Sequence, residues 1–130
     1  MITYNWELYK VNISTTVQTR LTNDPAQDHA AAWSPDGSQI AFISDRGNAE
    51  VDFDLYVMQP DGSQPRRVTA ALPLSFPLAW SPDSRRVAAA TAWILNGDMY
   101  SIDVGSHQVT SLAPAALHGV VPTWRPDTWR

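Results

Sequence analysis

Short stretches in which apolar and polar side chains alternate run the length of the chain, each closed by Pro, Gly, Asn, Asp or Ser. In residues 7–12, Leu8 and Lys10 fall opposite Tyr9 and Val11. A period of two marks a half-buried strand rather than a helix. The same pattern predicts strands over residues 17–22, 30–33, 39–44, 53–59, 66–69, 78–80, 87–92, 99–103, 108–112 and 120–124. One stretch pulls the other way: Ala88, Ala89 and Ala90 favour helix by intrinsic propensity. Their register in a repeat outweighs that preference.

The repeat is explicit. Trp33-Ser34-Pro35-Asp36-Gly37 returns as Trp80-Ser81-Pro82-Asp83-Ser84 and, altered, as Trp124-Arg125-Pro126-Asp127-Thr128, at intervals of 47 and 44 residues. Tyr9, Tyr56 and Tyr100 each follow an acidic-apolar pair. Twelve residues lead from each Tyr to Leu21, Val68 or Leu112, and 12 more to each Trp. A period of roughly 20–50 residues signals stacked units, and four short antiparallel strands per unit fit one propeller blade. In the recurring turn Pro35 pre-sets φ, and Gly37 supplies the left-handed residue that closes a hairpin. Ser84 in the Gly position costs on the order of 1 kcal/mol if that backbone is also left-handed.

The chain therefore reads as all-β, a β-propeller of four-stranded antiparallel blades, about three per chain. Residues 1–29 end one blade, 30–76 and 77–113 are two blades, and 114–130 carry the first strand of a further one. Aligning the repeats leaves residues 87–91 without a counterpart in the terminal blade.

Residues 33–45, read as Trp-Ser-Pro-Asp-Gly-x-x-Ile-Ala-Phe-x-Ser-Asp, resemble the repeat of TolB-like β-propellers. So do the Asp/Glu-apolar-Tyr third strands and the fourth strands ending Leu21-Thr22 and Val68-Thr69. Arg125, Thr128 and Ala113 depart from the pattern at Ser, Gly and Thr positions. The resemblance implies a six-bladed ring, of which this chain is half, used as a docking platform. Related blades also serve as accessory domains of prolyl oligopeptidase-like serine peptidases and of some sugar-acting enzymes. The resemblance leans to the bacterial periplasm or exterior, whereas no secretion signal is read here; the compartment stays open.

An open arc of blades exposes two blade faces and unpaired strand edges. A face of four strands presents about 300–350 Å² in projection, worth roughly 8 kcal/mol at ~25 cal/mol per Å². The expectation is thus a homodimer completing the ring, the terminal strands of each copy finishing a blade of the other. A fragment of a longer propeller protein is the alternative.

Composition removes several function classes. With 44% apolar residues, net charge −4 and no Cys, the chain offers neither disulfides nor thiolate metal sites. No apolar run is long enough to span a bilayer, and no basic stripe interleaves with aromatics for nucleic acid. There is no Gly-x-Ser-x-Gly elbow, phosphate loop or His-Glu-x-x-His, and no enzyme is expected.

Blade topology puts the longer loops on one face, where binding usually resides. The ligand-binding candidates there are Asp28, His29, Asp45, Arg46, Trp93 and His118, with Asp24, Glu50, Asp52, Phe53 and Phe76 around them. The acids have the chemistry of calcium ligands; turn residues (Asp24, Asp28) and solvated ones (Glu50, Asp52) are the preferred reading, with no cofactor. His29 and His118 read as a metal pair or as polar surface. Trp33, Trp80 and Trp124 are blade packing by register, whereas Trp6, Trp93 and Trp129 are not in register with each other, and Trp93 best suits ligand stacking. The expected partner is another protein, of unspecified identity.

Overall fold

The predicted strands from residue 7 to residue 112 fold as antiparallel β, including the alanine-rich one; the one predicted over residues 120–124 does not pair among the described residues. A computed structural model describes residues 5–47, 53–91, 98–113 and 122–125. Strands β1 (Tyr9–Val11) and β2 (Gln18–Arg20) form a two-stranded sheet. Strands β3 (Asp28–Trp33), β4 (Ile40–Ser44), β5 (Asp54–Met58) and β6 (Arg66–Arg67) form the second sheet, in chain order. Strands β7 (Leu74–Trp80), β8 (Arg86–Thr91), β9 (Met99–Asp103) and β10 (Val109–Ala113) form the third, again in chain order. These are two whole propeller blades preceded by the outer half of another. Residues 122–125 form no ladder among the described residues.

The middle blade is buried on both sides, and alternation along its strands explains how. Ile40 and Phe42 of β4, with Tyr56 and Met58 of β5, pack against Leu8 and Leu21 of the first blade. Their neighbours Ala41, Ile43, Leu55 and Val57 point the other way, onto Leu74, Leu78, Trp80, Val87 and Ile102 of the third. Successive side chains on a strand face opposite sides, so one strand feeds two cores.

The recurring turns are locked by the same bonds. Ser34 Oγ donates to Asp36 Oδ1 (2.7 Å) and accepts from the Gln39 N–H (3.0 Å); Ser81 Oγ does likewise with Asp83 (2.5 Å) and the Arg86 N–H (2.9 Å). Bonds from the Ser34 hydroxyl and from Ser38 hold Asp36 down at a pKa of about 2. Gly37 has φ +71° and Ser84 φ +58°, so Ser84 does carry the left-handed conformation. Its hydroxyl is reused across the blade boundary, accepting the Asp36 N–H at 3.1 Å.

Two inner strands begin earlier than the alternation predicts. β3 starts at Asp28 rather than residue 30, and β7 at Leu74 rather than residue 78. Each contains a bulge, between His29 and Ala32 and between Ser75 and Ala79, that breaks the two-residue period while pairing continues. Asp28 and His29 thus belong to the inner strand of the middle blade, not to the end of the blade before it.

Candidate functional site on the loop face

An acid at the head of the third strand fixes the outer strands beneath this face in the first and middle blades. Buried Asp54 forms an ion pair with Arg67 and accepts from Thr69 Oγ1 (3.0 Å) and the Leu72 N–H (3.3 Å). Thr69 Oγ1 in turn accepts the Leu55 N–H at 2.9 Å. The first blade repeats this with Glu7, Thr22 Oγ1 (2.6 Å), Arg20 (2.8 Å) and the Leu8 N–H (2.9 Å). Burial pushes the Glu7 carboxyl up, but bonds from Thr22, Arg20 and the Asp24 N–H together hold it below the usual range. In the third blade Ser111 and Ala113 replace the Arg and Thr, neither bonds Asp98 among the described residues, and the β9–β10 register slips between them.

Asp28 opens β3 fully buried, against the expectation of a turn residue. Its Oδ2 lies 2.5 Å from Arg46 Nη2, while its Oδ1 has no hydrogen-bond partner among the described residues. The Arg46 Nε donates to Ser44 Oγ (3.0 Å), and its guanidinium lies 5.2 and 5.4 Å from the Phe42 and Tyr56 ring centres. The Tyr56 hydroxyl donates to the Arg46 carbonyl at 2.7 Å, and burial raises its pKa. Asp45 Oδ1 accepts the Gln27 N–H at 2.8 Å, closing the entrance to β3.

Next to Asp28, His29 stands between aromatics of two blades. Its ring meets Phe53 edge-on at 4.5 Å and lies 6.5 Å from Trp6. Burial pushes its pKa below the ordinary value, and the charges of Asp45 and Asp28 pull it only partly back. The site therefore favours the uncharged imidazole over the imidazolium. Beside it is an open, mainly apolar depression of about 320 Å³ lined by Trp6, His29, Ala30, Ala31, Pro77 and Leu78.

The fold thus gathers Asp28, His29, Asp45 and Arg46, while Trp93, His118, Glu50 and Asp52 lie outside the described residues. Trp6 was missed as a loop-face residue, although it sits 47 residues ahead of Phe53 and so at the same repeat position. Arg20 and Arg67, also 47 apart, carried the same signal. Chemically, the acid and the arginine neutralise each other, and the turn serines are committed to their hairpins. No group of three metal-ligating side chains converges among the described residues. What faces solvent is an aromatic and apolar surface suited to holding a side chain.

No family model matches the chain. A TolB homologue of Chlorobium luteolum is 28% identical over 96 residues, 74% of this chain and 20% of that protein. A TolB structure from Agrobacterium tumefaciens superposes with a TM-score of 0.71 at 23% identity, covering 91% of this chain and 46% of that one. The chain folds as TolB-like β-propeller blades. TolB-like blades also recur in enzymes. The uncharacterised peptidase YuxL of Bacillus subtilis is 41% identical over 73 residues, 55% of this chain and 10% of that protein. An oligogalacturonate lyase solved with manganese superposes at a TM-score of 0.68 and 17% identity, over 85% of this chain and 30% of that one. The matches span only a tenth to a fifth of these curated relatives.

Proposed function

We propose that this TolB-like segment is a non-catalytic scaffold for protein–protein interaction that also assembles with itself into a ring. It engages a protein partner through the loop face. The observation that carries this reading is His29 set between Trp6 and Phe53 at the rim of an apolar depression. Aromatic anchors in such settings dominate binding energy at protein interfaces. No metal is required by this arrangement.

A second reading, an accessory or fragment propeller of a prolyl oligopeptidase-like peptidase or a carbohydrate-active enzyme, draws on the 41% identity to YuxL. The two separate on one set of assays with the purified chain. A photo-crosslinker beside Trp6 should trap a discrete protein, and Trp6→Ala with His29→Ala should abolish the trapping. Peptide hydrolysis, cleavage of oligogalacturonate, or a thermal shift with calcium or manganese would overturn the scaffold reading.

A further inference from the structure

Tryptophan at one repeat position ties the third blade, and the strand position after it, to the blade before. Trp80 Nε1 donates to the Ala32 carbonyl at 2.9 Å, and Trp124 Nε1 donates to the Ala79 carbonyl at 2.8 Å. In both cases the acceptor is the residue just ahead of the preceding blade's own tryptophan. Trp33 holds the same position in the middle blade, yet it is 50% exposed where Trp80 is 8%. Among the described residues no carbonyl accepts its indole N–H. Tyr9 repeats the contrast, 55% exposed against 7% for Tyr56. Both line one groove of about 620 Å³, with Val11 and Val17, along the open edge of β1. At the other end of the arc Leu112 is 51% exposed where its repeat equivalent Val68 is 4%. The two ends are opposite halves of the same kind of seam.

We infer that the groove beside Trp33 receives residues 122–125 of a second copy, with Trp33 Nε1 donating to the Thr123 carbonyl of that copy. Thr123 stands ahead of Trp124 as Ala32 and Ala79 stand ahead of Trp33 and Trp80. The Arg86 guanidinium, 5.2 Å from the Trp124 ring centre, holds that segment against the third blade and presents it outward. Head-to-tail seams run on as filaments unless the rotation closes. This chain spans 46% of the Agrobacterium structure, so two copies make up about one such ring and the seam closes at two. Two seams join four blade faces, about 1,200–1,400 Å² in all, within reach of the ~1,200–2,000 Å² of stable interfaces.

The inference deepens the scaffold reading but is read by mass, whereas that reading is read by trapping at the loop face, so each can fail alone. Light scattering coupled to gel filtration should give twice the 14.4 kDa chain mass. Trp33→Phe keeps the aromatic ring and removes one N–H from each of the two seams, and should raise the dissociation constant about 30-fold. Trp33→Ala and Leu112→Arg should each give monomers that still melt cooperatively, at a lower Tm than the dimer. Mixing those two variants should restore a dimer, because one of its two seams is then wild type on both sides. A monomer mass at every concentration, open-ended oligomers, or a dimer indifferent to Trp33→Phe would overturn the inference.

Discussion

The middle blade and the third blade share one repeat but are held unequally. In the middle blade both faces of β4 and β5 are buried, and Asp54, Arg67 and Thr69 clamp the outer strands. Among the described residues the third blade has a complete blade beside it on one side only, and Ser111 and Ala113 stand where the clamp's Arg and Thr would be. Repeat register therefore decides which way a side chain faces. Whether it is buried depends on what stands next to the blade.

Removing the charge partner inside the middle blade should have the largest effect. Arg46→Ala leaves Asp28 buried and unpaired, and should cost about 3–5 kcal/mol in urea unfolding. Cutting the clamp comes next: Thr69→Ala strands the Leu55 N–H and should cost about 1–3 kcal/mol. Installing the clamp in the third blade, with Ser111→Arg and Ala113→Thr together, should gain about 1 kcal/mol and slow amide exchange in β10. A loss of stability in that double variant would contradict the equivalence of the two blades.

The smallest effect is in pH. The folded state lowers the pKa of His29, so below the ordinary histidine pKa the unfolded chain binds the extra proton. The His29 contribution is complete above about pH 6.5 and declines as pH falls through that value toward the lowered folded pKa. His29→Phe should flatten this part of the stability profile. Titration of the His29 ring by NMR at or above the free-histidine value would contradict it.

Much of this was legible in the chain, because nine anchors in fixed spacing define strand order and facing. The bulges were not. Ala30 adopts φ +56° without the glycine that would announce it. Nor was the burial of Asp28, whose partner Arg46 lies 18 residues away and is reached only through the β3–β4 register. The loop-face aromatics were half legible: Phe53 was identified, and the 47-residue interval would have added Trp6. Exposure of Trp33 was out of reach for a different reason. Its repeat position says what it should touch, and only the assembled blades say that nothing described here touches its indole N–H.

Hydrogen exchange of the individual indole N–H groups, followed by NMR on dilute and concentrated samples, tests the tryptophan contact most directly. Trp80 and Trp124 should exchange slowly throughout, and Trp33 rapidly when dilute but slowly when concentrated. Fast exchange at Trp80, or a Trp33 rate that ignores concentration, would contradict the account.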